Sequence, residues 1–258
     1  MNKASKYIIT ALLAGILVLL LTVLELRSGS ARRERSCSGI EVEYRNGQGF
    51  VSKSDVKSYI EKDYGIVSGK RIEEIDLARI EQILDGRSAI QKSEVYTTAD
   101  GILHVMISER EPAIRLVTPS GSWYADKSGF LFPMQKNSTS RVPIIDGAVP
   151  VTLTQGFKGY ASTAREKAWI AGILKMMDWL DGHRNWKDAI AQIHIENDGN
   201  IVLIPVEGRE KFIFGRPEDM DRKFGKIEEY YRCIVPAKGR DYYSSVNVSF
   251  DGQIVCRK

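Results

Sequence analysis

The segment Ile102–Leu116 constrains the fold most, because it divides the chain into two dissimilar parts. Its first half alternates apolar and polar residues, with Leu103, Val105 and Ile107 on one face, as in a half-buried strand. Pro112 cannot donate a hydrogen bond to a central ladder, so the first strand must end or reach a sheet edge near it. We therefore expect one small domain before this segment and another after it, and 258 residues provide room for both.

An apolar run near the N-terminus is the second constraint. The run Ile8–Leu26 carries no charge before Glu25. At about 1.5 Å per residue, a helix of about 17 to 19 residues just crosses the hydrocarbon core of a bilayer. A cleaved signal peptide, with Ser28–Ala31 as a loose cleavage site, is the alternative, although signal sequences usually have a shorter apolar core. We expect a membrane-spanning helix that contacts lipid, with residues 1–7 as a cytoplasmic tail and 27–38 as a juxtamembrane linker.

The charge distribution excludes one class of partner. The formal net charge of +4 comes from the first 36 residues, and the rest of the chain holds 31 basic and 31 acidic side chains. A neutral globular part has no basic excess for nucleic-acid binding. The basic residues beside the apolar run suit anionic lipid headgroups instead. More of them follow the run than precede it, but a long trailing domain usually translocates regardless. We expect a cytoplasmic N-terminus and an extracytoplasmic bulk.

The residue types that usually carry catalysis or metal binding do not form recognisable motifs. Three cysteines and three histidines are present, namely Cys37, Cys233, Cys256, His104, His183 and His194. The cysteines lack metal-ligand spacing, and both ordinary thiols and a Cys233–Cys256 bridge fit the pattern, of which we expect the former. No second histidine or cysteine stands at helical spacing from a histidine, and no GxSxG motif occurs. We expect no catalytic, cofactor or metal site and no small-molecule substrate.

The pattern after residue 38 predicts a β-α-α-β-β module. A strand alternates from Ile40 to Tyr44. Ser52 with Asp55 three residues later resembles a capping box that opens a helix. A second helix follows from about Asp76, and two strands flank a turn at Ala99–Gly101. This order predicts a compact module with its helices on one face of the sheet.

The chain after Pro112 is richer in strands and has two amphipathic helices. Ala164–Leu180 carries the strongest helical stripe, and Met220–Cys233 carries the second. A strand over Tyr242–Phe250 and a final strand over Gln253–Cys256 close the chain. Further strands are expected at Ser122–Ala125, Phe130–Phe132, Val142–Ile145, Ile190–Ile195, Asn200–Val206 and Lys211–Gly215. The fold class is α+β: an N-terminal transmembrane helix, a β-α-α-β-β module and a mixed β-sheet domain with two amphipathic helices.

These pieces, in this order, resemble the FtsQ/DivIB family of bacterial cell-division proteins. The segment Val105–Leu116 is similar to the strand that runs into an "ErxPvA" motif, where the family's POTRA module ends and its β domain begins. Trp123–Phe132 is similar to the family's "liDxxGxvf" hairpin, and Phe212–Gly215 before a helix resembles its "lxlG" stretch. Val246–Val255 resembles the terminal "vDlRyxgqvv" segment. The resemblance covers nearly the whole chain.

The resemblance implies a non-enzymatic scaffold of the division machinery. Such a protein spans the bacterial inner membrane once, here through Ile8–Leu26, with its bulk in the periplasm at the division site. Residues 39–110 would form the POTRA-like domain and residues 111–258 the β domain. The implied partners are FtsL/FtsB-type single-span division proteins and septal wall-synthesis proteins.

The family's terminal edge strand receives a partner strand, which maps here onto Val246–Val255. The residues alone also allow a plain core strand in which Phe250 packs inward. Asn247 and Ser249 replace the usual Asp and Arg of the family pattern, so the charge contacts of that strand are not implied here. The expected partner-binding residues are Tyr243, Val246, Val248, Phe250, Gln253 and Ile254.

Two other functions remain open on the sequence. A POTRA-type envelope transport or outer-membrane assembly factor would share the first module, but the two helices expected in the second domain fit that class less well. A membrane-anchored extracytoplasmic enzyme also remains, because catalytic groups assemble in space rather than in sequence.

Overall fold

The computed structural model describes residues 15–23 and 36–258. Residues 15–23 are helical, and within the described ranges no helix has both the length and the apolar character needed to cross a bilayer. The predicted span Ile8–Leu26 extends beyond the described residues at both ends and stays a prediction. The predicted tail 1–7 and residues 27–35 of the predicted linker lie outside the described residues.

The chain divides into two compact units near the predicted position. The first comprises the described part of Met1–Gly47 together with Val51–Glu109, and the second comprises Gln48–Phe50 together with Arg110–Lys258. One strand ends at Glu109 in the first unit and the next begins at Pro112 in the second. The interruption expected at the proline is therefore confirmed, because the two halves of Ile102–Leu116 belong to different sheets.

The first unit has the predicted β-α-α-β-β order. Its elements are β1 (Gly39–Asn46), α1 (Lys53–Asp63), a 3-10 turn (Ile72–Glu74), α2 (Leu77–Asp85), β2 (Ile90–Thr97) and β3 (Ile102–Glu109). The central strand is β3, which pairs with β1 in parallel and with β2 antiparallel. A parallel neighbour requires a crossover, and the two helices supply it.

Local sequence signals explain both helices of this unit. The predicted capping box is confirmed: Ser52 Oγ accepts from Asp55 N at 3.1 Å, and Asp55 Oδ2 accepts from Ser52 N at 2.9 Å. The second helix begins where it was predicted, and Asp76 is its N-cap. Val56 and Ile60 on α1 are fully buried. The core also contains Val42, Ile80, Leu84, Leu103, Val105 and Ile107.

The second unit is built on a mixed nine-stranded sheet in the order β12-β11-β10-β9-β8-β7-β4-β5-β6. Three of its neighbouring pairs are parallel, namely β4 with β7, β7 with β8 and β10 with β11. Its elements are β4 (Pro112–Thr118), β5 (Gly121–Asp126), β6 (Leu131–Pro133), β7 (Ile144–Gly147), α3 (Ala164–Gly182), β8 (Ile190–Ile195), β9 (Ile201–Pro205), β10 (Lys211–Gly215), α4 (Met220–Glu229), a π-helical turn (Tyr230–Ile234), α5 (Val235–Lys238), β11 (Ser245–Asn247) and β12 (Val255–Arg257).

The apolar stripe predicted for α3 is confirmed, because Ile170, Ile173, Leu174, Met177 and Leu180 are all buried. These side chains belong to a hydrophobic core of the unit, which they share with the inner face of the sheet. Their burial follows from the i, i+3, i+4 spacing read in the sequence.

The prediction of an amphipathic α-helix over Met220–Cys233 is wrong in the last turn. The α-helix ends at Glu229, and the π-helical turn over Tyr230–Ile234 follows. An i→i+5 turn rotates the side chains out of the 3.6-residue register. Tyr230 is the fully buried residue of this turn, and the rings of Tyr230 and Tyr231 both lie within 5.8 Å of the ring of Phe212.

Candidate partner-binding edge

The last strand, β12, is the outermost strand at one side of the nine-stranded sheet formed by residues 36–258. It pairs antiparallel with β11, and Val246 faces Cys256 across the pair. The strand β11 is itself enclosed, because its other side pairs with β10 in parallel. The open edge is thus formed by Val255–Arg257. The segment Val246–Val255 was predicted as the edge strand, but its first residues belong to β11, which lies between β10 and β12.

The strand predicted over Tyr242–Phe250 is much shorter than expected, covering only Ser245–Asn247. The strand ends at Asn247 because the side chain of this residue forms local hydrogen bonds. Asn247 Oδ1 accepts from Ser249 N at 2.9 Å and from Ser249 Oγ at 2.7 Å. This Asx turn offers the backbone an alternative to the ladder and ends the strand.

The six predicted partner-binding residues do not share one face. Val246 and Val248 are fully buried and belong to the core of the second unit. Phe250 follows the Asx turn and is 47% exposed. Phe250 therefore does not share the buried face of Val246 and Val248, because the strand ends at Asn247 and the Asx turn follows. Of these three, Phe250 alone offers a surface to a partner.

The other three predicted residues lie close to the edge. Tyr243 and Ile254 are half-buried and pack against the core cluster. Gln253 is exposed in the turn before β12. Phe250, Tyr243 and Ile254 are apolar side chains in the segments next to β11 and β12, and together we call them the apolar rim.

The backbone of β12 presents hydrogen-bonding groups outward. The N–H of Ser244 donates to the carbonyl oxygen of Arg257 at 2.8 Å, so the polar groups of Arg257 face β11. Main-chain groups of successive residues in a strand point to opposite sides. The N–H and C=O of Cys256 therefore face away from β11, toward the open edge.

Two cations of α4 hold the turn between β11 and β12. Arg222 Nη1 donates to the carbonyl oxygen of Phe250 at 3.3 Å and lies 2.9 Å from Asp251 Oδ1. Lys226 Nζ donates to the same carbonyl oxygen. Partial burial and the neighbouring Arg222 lower the pKa of Lys226. These contacts connect the surface near Phe250 to a core-packed helix.

The three cysteines are ordinary thiols. Cys233 is exposed, Cys256 is half-buried, and both are free, as is the buried Cys37. Burial raises the pKa of the Cys256 thiol, which keeps it protonated at neutral pH. The expectation of free thiols is confirmed, and the side chain of Cys256 acts as a small apolar group beside Ile254.

The histidines lie in three separate places. His104 is in β3, His183 stacks on Trp179 with ring centroids 3.8 Å apart, and His194 Nδ1 lies 2.8 Å from Asp146 Oδ1. In the part of the chain that the structure describes, none of them hydrogen-bonds to a serine or cysteine.

Comparison with known proteins agrees with the two-unit division. A family model described as FtsQ/DivIB, C-terminal related, matches residues 111–257, which is more than half of the chain. A model described as a POTRA-like domain matches residues 35–108. No curated protein matches the sequence.

Proposed function

Because the chain belongs to the FtsQ/DivIB family of cell-division proteins, we propose that it is a non-enzymatic scaffold of the bacterial division machinery that binds a partner strand at β12. In this proposal Ile8–Leu26 anchors the protein in the inner membrane, with residues 1–7 in the cytoplasm. Residues 39–110 and 111–258 lie in the periplasm at the division site. The direct partners are FtsL/FtsB-type single-span proteins, and septal wall-synthesis proteins join the assembly later.

The open edge of β12 is the observation that carries the proposal. An extended segment laid along this edge gains main-chain hydrogen bonds with Cys256, whose N–H and C=O face outward. Adding a strand to an exposed edge is a common way to bind a peptide, in which the backbone supplies affinity and alternate side chains supply selectivity.

The side chains around the edge indicate what kind of segment fits. Phe250, Ile254 and Tyr243 form the apolar rim, which suits a partner with apolar residues on alternate positions. Arg257 and Lys258 are exposed at the same edge, which suits acidic residues on the partner. Val246 and Val248 contribute indirectly, because they hold β11 in the core and so support β12.

A proline substitution tests the edge without removing its support. In Cys256→Pro the lost N–H is the one that faces outward, while the groups of Val255 and Arg257 that pair with β11 remain. We expect at least a tenfold loss of affinity for the periplasmic segment of the FtsL/FtsB-type protein of the same bacterium, measured by calorimetry. Phe250→Glu should weaken binding in the same assay by adding a charge to the apolar rim.

The control variant is Cys256→Val, which changes the side chain but keeps the N–H. It should bind as the unaltered protein does, and unaltered binding by Cys256→Pro with an unchanged far-UV circular dichroism spectrum would refute strand addition at β12.

The scaffold role is tested separately in cells. Depletion of the protein should make the cells grow as undivided filaments, and a fluorescent fusion of the protein should form rings at midcell. A uniform envelope signal without filamentation contradicts the division role.

A further inference from the structure

The exposed face of the first unit's sheet brings three potential metal ligands together. Glu41 lies opposite His104 in the parallel pair of β1 and β3. Glu43 stands two residues further along β1, so the period of a strand places it on the same face. One carboxylate oxygen of each glutamate and one ring nitrogen of His104 lie within 4.8 Å of one another.

The imidazole of His104 is held in one orientation. Its Nε2 lies 3.1 Å from Thr98 Oγ1, and its ring stacks on Tyr96 with centroids 5.1 Å apart and planes inclined by 6°. The side chain is 16% exposed. These contacts direct the other ring nitrogen, Nδ1, toward the two glutamates.

The hydrogen bonds of Thr98 determine which ring nitrogen carries the proton. The Thr98 hydroxyl donates to Asp100 Oδ1. This hydrogen bond lowers the pKa of Asp100, so the carboxylate is ionised at neutral pH and accepts. With its own proton committed, Thr98 Oγ1 accepts the N–H of His104 Nε2. The lone pair of a neutral His104 is therefore on Nδ1.

That lone pair faces a carboxylate without a cation between them. His104 Nδ1 is buried and has no hydrogen-bond partner, and the nearest acidic oxygen, Glu41 Oε2, is 3.7 Å away. Within residues 36–258 no lysine or arginine forms an ion pair with Glu41 or Glu43. Arg45, which follows them on β1, pairs with Glu94 instead, at 2.9 Å. Two carboxylates and an imidazole nitrogen with no lysine or arginine paired to them form a site that attracts a cation.

We propose that Glu41, Glu43 and His104 bind one divalent transition-metal ion, for which Zn²⁺ is the best match. Zn²⁺ takes imidazole nitrogen and carboxylate oxygen at about 2.0–2.2 Å, usually with four ligands. Both glutamate side chains are exposed and can move the short distance that closes the site. The remaining coordination position is open to water. Mg²⁺ and Ca²⁺ prefer all-oxygen sites, so the imidazole selects against them.

Thr98 is a positioning residue for this site, because it fixes the tautomer and ring orientation of His104 without contacting the ion. Removing such a partner typically weakens metal binding by about 10- to 100-fold. Thr98→Val, which keeps the shape but not the hydroxyl, is therefore expected to bind Zn²⁺ by that factor more weakly.

Titration of the purified full-length protein with Zn²⁺ tests the proposal by calorimetry, with Mg²⁺ as the comparison ion. We expect one equivalent of Zn²⁺ to bind in the micromolar range or tighter, at least tenfold weaker binding in Glu41→Gln, Glu43→Gln and His104→Gln, and no comparable binding of Mg²⁺. The exposed positions of the two glutamates allow these amides without loss of the fold, which circular dichroism checks. Substituting Co²⁺ should give visible absorption bands that the same variants lose.

Two controls remove other Zn²⁺ donors of the chain. His183→Gln and Cys233→Ser alter an exposed imidazole and an exposed thiol outside the site, and both variants should keep the bound equivalent. Absence of Zn²⁺ binding, or equal binding by the unaltered protein and the folded Glu41→Gln and Glu43→Gln variants, would overturn the proposal. Neither result bears on the β12 edge, which belongs to the other unit.

Discussion

Arg222 Nη1 lies 2.9 Å from Asp251 Oδ1, so a side chain of α4 clamps the turn that leads into the outermost strand. The pair is solvent-accessible, with Asp251 90% exposed, and it therefore contributes little to global stability. Its effect is local, because the same guanidinium also bonds the carbonyl oxygen of Phe250.

Arg222→Ala should loosen this turn without unfolding the unit. We expect the free energy of unfolding to fall by at most about 1 kcal/mol, as for exposed ion pairs. Hydrogen exchange of the amides in residues 249–254 should accelerate clearly, as measured by mass spectrometry. Arg240→Ala is the matched control, since Arg240 is 3.9 Å from Glu207 and away from the turn. Equal exchange in the two variants would contradict the clamp.

Truncation to alanine should destabilise the unit much more at Val246 than at Phe250. Val246→Ala removes buried methyl groups and should lower the free energy of unfolding by about 2 kcal/mol. Phe250→Ala trims an exposed ring and should change it by less than about 0.5 kcal/mol. Denaturant titration with tryptophan fluorescence measures both, because all four tryptophans lie in the second unit. A larger effect at Phe250 would place that ring in the core.

Several features of the fold could be predicted because their causes are local. The Ser52–Asp55 capping box and the stripe on α3 depend on residues three or four positions apart, and both occur as the sequence indicates. The alternation of Glu41 and Glu43 with buried Val42 is likewise a property of one strand. The interruption near Pro112 follows from a missing hydrogen-bond donor.

The features that escaped prediction depend on choices between competing hydrogen bonds or on distant pairing. An asparagine can either continue a strand or form an Asx turn with its side chain. At Asn247 the hydrogen bond from the Ser249 N–H stabilises the Asx turn. Phe250 follows this turn and therefore lies outside the core that contains Val246 and Val248. The proximity of Glu41 to His104 follows from the register of a parallel pair across more than sixty residues, whereas helical ligand spacing depends on residues three or four positions apart.

Gly147 is required by the backbone at the end of β7. Its φ is +83°, and a Cβ there would lie 2.3 Å from the carbonyl oxygen of Ile195 on β8. Gly147→Ala should therefore lower the free energy of unfolding by more than about 3 kcal/mol, combining left-handed strain with a backbone clash. Gly156→Ala is the control, with φ +77° and open space around its Cβ, and should cost about 1 kcal/mol. If Gly147→Ala and Gly156→Ala lose the same free energy of unfolding, measured by denaturant titration with tryptophan fluorescence, the clash with the Ile195 carbonyl oxygen is relieved without cost.

Glu166 should make the stability of the second unit depend on pH. Its carboxylate accepts from Thr152 N at 2.8 Å, Thr163 N at 3.0 Å and Thr163 Oγ1 at 2.9 Å. These main-chain and side-chain hydrogen bonds lower the pKa of Glu166 to about 2. Since the folded pKa lies below the unfolded value of about 4.3, the contribution is full above the unfolded value and is lost as pH falls through about 2.

Glu166→Gln removes this charge, so the variant should be less stable than the unaltered protein by about 2 kcal/mol at pH 7. The difference should narrow between about pH 4 and pH 2, where the native carboxylate takes up its proton. Urea titrations followed by tryptophan fluorescence at several pH values measure it. The exposed Glu61, on α1 of the first unit, provides the control Glu61→Gln, which should leave this transition unchanged at every pH. A stability difference for Glu166→Gln that is constant from pH 7 to pH 2 would mean that the carboxylate charge does not cap α3.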